Sequence, residues 1–543
     1  MTLKNRKKSA VVGVALLIFL ATTAYKNNYF EIAKQVEIFA TLFKEINMNY
    51  VDETVPAELM QEGIKSMLAS LDPYTNYMSE QEVESARINQ SRAYVGIGAT
   101  LNALENKLVV IEVFKGLPAD EAGLKPGDEI VSIGNTKVSV LKEAAQQFLN
   151  GKKNSFVALS FVRNGIEKSI KVKRKGLAPK AVPISKMLKD DIGYIALDRF
   201  SKTAAREVEN ALKLLVIDEA KGVILDLRNN PGGLLQEAVK IVNLFIPKNQ
   251  LVVSTKSNIE GYNKEFKTVL QPVDLEIPLV ILINENSASA SEIVAGALQD
   301  LDRAVVVGEK SFGKGLVQRP KALPYGGQLK VTISRYYTPS GRCIQALDYR
   351  NRKEGVALRF AEEDYTAFKT KGGRTVFDGG GITPDVLGKN KKRVNFIKEL
   401  IKGPLVFEFA NNYFYNNKVE NLSQFALKPK DFKKFKEMSL KSPLFLKDES
   451  FEYLKELTNT IKKNDLEGLD AELLDLGKSI NESKLELMDQ YEKELLTALE
   501  KEIVKRYFYR EGVYEYNLIK SKDVSRAIEM LNAPEEYLDI LKR

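Results

Sequence analysis

Hydrophobic and polar residues follow one another along this chain in three patterns, and each predicts a different structure. Between residues 30 and 71 apolar side chains recur every three or four positions, which predicts amphipathic helices that end at Asp72-Pro73. From about residue 94 to 175, short apolar runs separated by Gly, Asn and Asp predict a small β unit. Beyond residue 191, continuous apolar runs alternate with helical patterns, as in an α/β unit.

The patterns also set the bounds of single elements. Four strands are expected in the β unit, at Lys107–Val113, Glu129–Ile133, Phe156–Val162 and Ile166–Val172. In the α/β unit, strands are expected at Gly222–Leu227, Pro278–Ile283 and Ala304–Val307, with helices at Leu234–Phe245 and Ala290–Leu298. Because parallel strands end at the same edge of their sheet, we expect the loops that follow these strands to form the functional site.

The last part of the chain, from residue 394 to 543, is predicted to be helical from its apolar spacing between Lys and Glu. The clearest helical patterns are at Ala471–Leu476, Leu485–Ile503 and Arg526–Leu531. The run from residue 480 to 507 fits a coiled-coil-like arm as well as a helix packed in a core. We favour the packed helix.

The first 26 residues have the pattern of an export signal. Four basic residues between positions 4 and 8 precede an apolar run from Ser9 to Tyr25. Because a basic flank stays in the cytoplasm, we expect the rest of the chain in the cell envelope, on the periplasmic side of the inner membrane and associated with it. The run fits a cleaved signal peptide, with Ala21–Ala24 as the cleavage site, and an uncleaved anchor, which we favour.

Composition excludes several kinds of site. The 543 residues suffice for several domains, and Lys plus Arg (81) exceed Asp plus Glu (72) without forming one basic block, so we expect no nucleic-acid partner. The absence of His excludes a Ser-His-Asp triad and a His-ligated zinc site. The single cysteine, Cys343, excludes a multi-thiolate metal site. We therefore expect no metal ion and no cofactor.

Two loops of the α/β unit carry a serine and a lysine to which the family resemblance described below assigns a catalytic role. Ser289 lies among small residues after the second strand, and Lys314 lies between two glycines after the third. A serine hydroxyl needs a base, and lysine can serve only if its pKa falls several units below the free value of about 10.4. Burial among the apolar neighbours Phe312, Leu316 and Val317 is suited to this.

Both residues also have a purely structural interpretation. Ser289-x-x-Glu292 is the pattern of a capping box, in which the serine only begins a helix. Lys314 would ordinarily be a solvent-exposed lysine, and Lys310 competes with it as a base. For Ser289 we favour the catalytic interpretation because its small neighbours leave room for a substrate, and a helix start offers N–H groups to a developing oxyanion. For Lys314 the solvent-exposed interpretation would stand without the motif around it, and the Gly-Lys-Gly context together with Gln318 favours Lys314 over Lys310 as the base.

Four motifs follow one another in this unit: Leu227-Arg-Asn-Asn-Pro-Gly-Gly233, Asn284 to Ile293 with Ser-Ala-Ser-Ala-Ser-Glu, Gly308 to Gln318 with Phe-Gly-Lys-Gly, and Asp378-Gly-Gly-Gly-Ile-Thr-Pro-Asp385. Together they resemble the carboxyl-terminal processing peptidases, also called tail-specific proteases, over about residues 30–387. The resemblance implies a serine endopeptidase with Ser289 as nucleophile, Lys314 as general base and Gln318 as the residue that orients the lysine. It further implies that the oxyanion donors are the backbone N–H groups of Gly232 and Ala290.

The β unit carries a second resemblance. The loop Val95-Gly96-Ile97-Gly98 and the stretch from Ala122 to Ile130, which contains Pro126-Gly127-Asp128, are similar to a PDZ domain. Such a domain implies that Val95, Gly96, Ile97 and Gly98 bind the C-terminal carboxylate of a peptide, which adds to the sheet as an extra strand. The plainer interpretation is a small β domain whose glycines only form turns.

These expectations describe a multidomain α/β protein. It is divided into a membrane segment at 1–26, a helical segment at 27–89, a PDZ β-domain at 90–175, an α/β protease core at 176–390 and a helical region at 391–543. We predict an exported serine endopeptidase that recognises the apolar C-terminal tails of protein substrates. The alternatives are a catalytically inactive PDZ scaffold of the cell envelope and an enzyme acting on acyl thioesters, for which no acyl-carrier site is evident.

Three further expectations concern partners and mobility. The substrates are proteins or peptides with free C-termini. An adaptor protein and a homodimer are left open, because the tyrosines and phenylalanines between residues 507 and 516 give the C-terminal region an apolar patch. The basic connector at Lys173–Pro183 contains Gly and Pro, and it fits a hinge between the β unit and the α/β unit as well as a stiff link.

Overall fold

The computed structural model describes residues 29–541 except 84–93, 105–106, 142–144, 146–147, 178–179, 354–355, 389–393, 443–444, 446–448, 465 and 467. The expected signal segment at 1–26 lies outside the described residues. No helix in the described part of the chain is long and apolar enough to cross a membrane. The chain divides into two compact units.

The smaller unit contains residues 29–78 together with 320–323 and 327–331. It has two helices, α1 at residues 29–49 and α2 at Pro56–Ala69, and one strand, β1 at Asn76–Met78, which pairs antiparallel with residues 328–330. The side chain of Asp72 accepts hydrogen bonds from the Tyr74 and Thr75 N–H groups at 2.8 Å. These bonds form a turn after α2, where the sequence predicts the end of the helices.

The larger unit begins with the predicted β unit. Its strands are β2 Tyr94–Gly96, β3 Ala99–Leu104, β4 Lys107–Val113, β5 Glu129–Ile133, β6 Thr136–Lys137, β7 Phe156–Arg163, β8 Ile166–Lys173 and β9 Lys175–Leu177, with short helices α3 Pro118–Glu121 and α4 Val138–Leu141. The antiparallel sheet has the order β3-β4-β5-β7-β8, with β6 on β5, so β3 lies at an edge. Asp128 is fully buried because Arg163 donates two hydrogen bonds of 2.6 Å to it.

A mostly parallel sheet forms the centre of the α/β unit. Its strands, in spatial order, are β10 Ile184–Met187, β11 Ile192–Ala196, β12 Gly222–Asp226, β15 Leu279–Ile283, β16 Val305–Gly308 and β23 Val386–Leu387. Only β10 runs antiparallel to its neighbour. The helices are α5 Ala204–Ile217, α6 Leu235–Asn243 and α7 Ala290–Asp300. Each of the three predicted strands occurs within about one residue of its expected bounds.

Further strands surround this sheet. They are β13 Leu251–Lys256, β14 Lys264–Lys267, β17 Leu316–Ala322, β18 Gln328–Tyr337, β19 Leu347–Lys353, β20 Val356–Arg359, β21 Ala367–Lys369 and β22 Thr375–Phe377. Residues 254–256 of β13 pair antiparallel with residues 335–337 of β18. This pairing matters for the site because it fixes Tyr336, which lies at its centre.

The C-terminal region is helical, as predicted. Its helices are α8 Asn395–Lys402, α9 Pro404–Asn416, α10 Pro429–Lys441, α11 Glu449–Lys463, α12 Asp470–Gln490, α13 Glu492–Lys520, α14 Lys522–Leu531 and α15 Pro534–Leu541. Leu495, Leu499 and Ile503 of α13 are fully buried among aromatic side chains of the neighbouring helices. The run from residue 480 to 507 therefore packs in a core, and the coiled-coil-like arm is not formed.

The two faces of the central sheet are covered by different parts of the chain. Side chains alternate between the faces along each strand. Leu225 and Ile281 pack on the side of helices α5, α6 and α7. Ile224 and Val280 pack against apolar residues of α14 and α15. Both faces are buried, which explains why the strands are apolar at every position.

Helix α13 also contacts the β unit. Arg510 donates hydrogen bonds of 2.9 and 2.7 Å to the carboxylate of Glu112 on β4, and lies 3.6 Å from Asp198, which follows β11. The connector is ordered at both of its ends, because residues 175–177 form β9 and the N–H groups of Ala181 and Val182 donate to Glu207 at 2.7 and 3.0 Å. Of the hinge and the stiff link that the sequence leaves open, these contacts at the described ends of the connector favour the stiff link.

The cover provided by α14 can be tested by removing a buried side chain. Met530 is fully buried against the sheet, so Met530→Ala should lower the free energy of unfolding by about 2–5 kcal/mol, because it leaves a cavity. Leu538→Ala on α15 is the control, since Leu538 is 44% exposed and should change stability by less than about 1 kcal/mol. Urea denaturation of both variants measures the difference, and equal effects would contradict this packing.

Candidate functional site

Two loops meet at the carboxyl edge of the central sheet. Strands β12 and β15 pair in parallel, so the loops that follow them start side by side. The first loop contains Asn229 and Asn230, and the second contains Asn284. The Asn229 N–H donates to Asn284 Oδ1 at 2.9 Å, and Asn284 Nδ2 donates back to Asn229 Oδ1 at 3.0 Å. The Ala288 N–H donates to the carbonyl of Asn230 at 3.1 Å, so the loops are held together directly before Ser289.

Ser289 stands at a sharp turn between the second loop and helix α7. Its φ of 55° and ψ of −111° differ from the extended conformation of an ordinary helix-capping residue. A non-glycine residue in this region is strained, and such strain concentrates at functional sites. The residue is half-buried. The backbone geometry therefore separates Ser289 from a serine that only begins a helix.

Glu292 joins the turn at Ser289 to the loop that carries Lys314. Its fully buried carboxylate accepts hydrogen bonds from the N–H groups of Ser289 (2.7 Å), Gly313 (2.7 Å) and Lys314 (2.9 Å), and from the hydroxyl of Ser311 (2.6 Å). Burial raises the pKa of Glu292 above its ordinary value, and the hydrogen bonds oppose that rise. The capping-box partner predicted from the sequence thus also binds a segment about twenty residues further along the chain.

Tyr336 joins the same two residues from strand β18. Its hydroxyl lies 2.5 Å from the carbonyl oxygen of Lys314 and 3.2 Å from that of Ser289, and the side chain is almost fully buried. The structure therefore brings the backbones of Ser289 and Lys314 together.

The surroundings of the two lysines differ. Lys314 is half-buried, and of its expected apolar neighbours Leu316 is buried whereas Phe312 is 39% exposed. Lys310 Nζ lies 3.2 Å from the hydroxyl of Tyr365 and 4.5 Å from the centre of its ring, so this ammonium has its own partner. Gln318 lies on β17, and its amide nitrogen donates to the hydroxyl of Thr332 at 3.2 Å.

The two expected oxyanion donors are placed differently. Ala290 is the first residue of α7, where N–H groups point out of the helix. The Gly232 N–H donates to the side-chain oxygen of Asn230 at 2.9 Å. Asn230 is fully buried, and its amide nitrogen donates to the carbonyl of Leu197 at 2.7 Å. One of the two donors is therefore engaged within the protein.

The loop Val95-Gly96-Ile97-Gly98 leads into the edge strand β3. Ile97 is buried in the core of the β unit, and its carbonyl accepts a hydrogen bond from the Ala119 N–H at 2.7 Å. Gly98 has a φ of 80°, and a Cβ there would lie 2.5 Å from Cβ of Leu117. Only glycine fits this position. The loop is thus tightly packed from one side, next to a strand that ends the sheet.

Sequence reasoning missed the roles of Glu292, Tyr336 and Asn230. Glu292 had a local signal, the capping-box spacing, but that signal carries no information about the loop near Lys314. Tyr336 lies 47 positions from Ser289, and nothing near it in the sequence marks it. The described residues contain no group of three or more Cys, Asp or Glu placed to hold a metal ion.

Comparisons with known proteins match the domains that the motifs indicate. The model of a PDZ domain matches residues 95–173, that of peptidase family S41 matches 191–352, and that of a probable PDZ-protease C-terminal helical domain matches 396–531. The chain is 35% identical over 346 residues to the carboxy-terminal-processing protease of Bartonella bacilliformis, covering 62% of this chain and 79% of that protein. It is 34% identical over 341 residues to a probable CtpA-like serine protease of Staphylococcus aureus, covering 62% and 68%.

These matches confirm the predicted order of a PDZ domain, a peptidase domain and a helical C-terminal region.

The close contact between the two loops can be tested at Gly232. A Cβ at this residue would lie 2.6 Å from the carbonyl oxygen of Ala288 and 2.9 Å from the Ala290 nitrogen, so Gly232→Ala should lower the free energy of unfolding by about 2–4 kcal/mol. Gly116→Ala is the matched control, because Gly116 also has a positive φ but no atom within 4 Å of its Cβ position. It should cost about 1 kcal/mol. Equal urea midpoints for the two variants would contradict the contact.

Proposed function

Because this chain belongs to the carboxy-terminal-processing proteases of peptidase family S41, which makes it a serine-type peptidase, we propose that it cuts peptide bonds with a Ser289–Lys314 dyad. The observation that carries the proposal is the shared binding of both backbones by Glu292 and Tyr336. The chain contains no histidine, so the base must be another side chain.

The reaction follows from the chemistry of these two groups. The neutral amine of Lys314 takes the proton of the Ser289 hydroxyl while Oγ forms a bond to the substrate carbonyl carbon. The tetrahedral intermediate collapses as the amine of the departing peptide receives that proton from the lysine. A water molecule then attacks the acyl-serine with the same base. Gln318, on the strand that follows, is the proposed neighbour that orients the lysine.

The oxyanion of the intermediate needs N–H donors, and we assign these to Ala290 and Gly232. Ala290 lies next to the nucleophile at the start of α7, whose dipole favours negative charge. The Gly232 N–H can bind the oxyanion only after it leaves, or shares, its hydrogen bond to Asn230. On this proposal, substrate binding includes a small rearrangement of the loop around Asn230.

The PDZ domain supplies the proposed selectivity for chain ends. The loop of residues 95–98 would bind the terminal carboxylate through backbone N–H groups, and the peptide would lie along β3, the first strand in the order of its sheet. Val95 and Ile97 would help to receive an apolar last side chain of the peptide. We further propose that the enzyme works in the cell envelope, on the periplasmic side of the inner membrane, since a basic flank precedes the apolar run before Lys26.

The dyad predicts the effect of three substitutions. Ser289→Ala and Lys314→Ala should each lower kcat at least about 1,000-fold, because one removes the nucleophile and the other the base. Lys314→Arg should be equally inactive, since guanidinium does not lose its proton in proteins. Cleavage of a fluorogenic peptide measures the rates. Lys310→Ala is the control and should keep the parental rate; normal cleavage by any of the three dyad variants would exclude the dyad.

Tail selection predicts a dependence on the last residues of the substrate. A protein substrate that ends in two apolar residues should be cut at least about tenfold faster than the same chain ending in Asp-Asp, because the terminal pocket is apolar. Amidation of the apolar tail should remove the advantage, since the loop binds a carboxylate. Cleavage rates of the three substrates at equal concentration give the comparison. Equal rates would refute tail selection while leaving the dyad intact.

A further inference from the structure

We propose that Glu292 is a positioning residue for catalysis, whose carboxylate fixes the nucleophile and the general base relative to each other. The inference rests on the proposed roles of Ser289 and Lys314. A single oxygen atom, Oε2, accepts the N–H groups of both residues, at 2.7 Å from Ser289 and 2.9 Å from Lys314. The other oxygen, Oε1, accepts the hydroxyl of Ser311 at 2.6 Å and the Gly313 N–H at 2.7 Å.

This arrangement is more than a helix cap. The glutamate of a capping box accepts only the N–H of the first residue in the motif. Glu292 accepts three further hydrogen bonds from the segment Ser311–Lys314, and it is fully buried. Burying a charged carboxylate costs free energy unless its oxygens accept hydrogen bonds. The four donors therefore stabilise the buried carboxylate, and the carboxylate in turn holds the four donors in place. All four donors are neutral groups, which suits a fixed geometry without a nearby cation.

Tyr336 contacts the same two residues from strand β18, and we call Glu292 and Tyr336 together the brace. Glu292 binds the N–H groups of Ser289 and Lys314, whereas the hydroxyl of Tyr336 lies within hydrogen-bond distance of the carbonyl oxygens of the same two residues. The single hydroxyl proton of Tyr336 is shared between these two carbonyl oxygens, and the shorter contact is the one to Lys314. Because a displacement of about 1 Å between reacting groups can cost about 100-fold in rate, loss of the brace should act mainly on kcat.

The two side chains give two independent variants. Glu292→Gln keeps the shape, but its NH2 group cannot accept from an N–H donor. Depending on how the amide is turned, either the Gly313 N–H or the N–H groups of Ser289 and Lys314 lose their acceptor, whereas the Ser311 hydroxyl can instead accept from the NH2 group. We expect kcat to fall about 100-fold. Tyr336→Phe removes only the hydroxyl, and we expect a fall of about tenfold. In both variants KM for a peptide substrate and the affinity for a fluorescent apolar-tail peptide should stay within about threefold of the parent, because neither residue belongs to the PDZ loop.

Matched controls separate positioning from general destabilisation. Glu237 is a buried glutamate whose carboxylate accepts the Ala205 N–H at 2.9 Å, and Tyr537 is a buried tyrosine whose hydroxyl lies 2.9 Å from the Leu279 nitrogen. Glu237 lies on α6 and Tyr537 on α15, not on the loops that carry Ser289 and Lys314. Glu237→Gln and Tyr537→Phe should keep the parental kcat. Thermal unfolding of all four variants of the full chain checks that each one folds.

The outcomes distinguish this inference from the proposed dyad. A folded Glu292→Gln variant with kcat within threefold of the parent would overturn the positioning role, as would an equal loss in Glu237→Gln. If Glu292→Gln does not fold, Tyr336→Phe decides, and a parental kcat there overturns the brace. If Ser289→Ala and Lys314→Ala are inactive while Glu292→Gln is active, the positioning role of Glu292 is rejected and the dyad stands. Active Ser289→Ala or Lys314→Ala would reject the dyad itself.

Discussion

Burial of the central sheet on both faces is the constraint on which the rest of this structure depends. Its parallel strands are apolar at consecutive positions, so neither face can be left in water. Helices α5 to α7 cover one face with segments that lie between the strands in sequence. The other face is covered by α14 and α15, which come from the end of the chain. The peptidase domain therefore depends on the C-terminal helical region to cover one face of its sheet.

Hydrogen bonds of Arg228 join helix α14 to the motif at the carboxyl edge of the sheet. Arg228, the second residue of Leu227-Arg-Asn-Asn-Pro-Gly-Gly233, donates to Asp226 at 2.6 Å and to the hydroxyl of Ser521 at 2.6 Å, and also contacts Asp523 at 3.2 Å. Asp226 accepts a hydrogen bond from Tyr194 as well, at 2.7 Å. The nearby carboxylates raise the pKa of Arg228, so its charge is secure at any physiological pH. The loop that presents Gly232 thus starts from an anchored residue.

The same C-terminal region also holds the PDZ domain. Arg510 binds Glu112 of the PDZ domain and approaches Asp198 of the peptidase domain, and the Tyr509 hydroxyl donates to Asp120 at 2.7 Å. Tyr509 has a φ of 59° within α13, which marks a kink at this contact. One helix therefore contacts the module proposed to bind tails and the domain that cuts them. Partly buried ion pairs of this kind fix an orientation more than they add stability.

The sequence by itself determined the main strands of the PDZ domain, three strands and two helices of the peptidase domain, the order of the domains and the family. Strand bounds in the PDZ domain were predicted almost to the residue, because alternation and Gly-Asp turns are local signals. Ser289, Lys314 and Gln318 were proposed as site residues from motifs, and the absence of His limited which side chains could serve as the base. These features depend on residues that are neighbours in the chain, so they can be seen without a structure.

The tertiary structure alone decided what covers the second face of the sheet, which side chains brace Ser289 and Lys314, and which partner engages the Gly232 N–H. For residues 480–507 the sequence left open a coiled-coil-like arm and a packed helix, and the packing of α13 favours the packed helix. For the connector it left open a hinge and a stiff link, and the contacts of Ala181 and Val182 favour the stiff link. The physical reason is common to all of these. Burial and hydrogen-bond geometry join residues tens to hundreds of positions apart, as Glu292 joins Gly313 and Arg228 joins Ser521, and spacing along the chain does not encode such pairs.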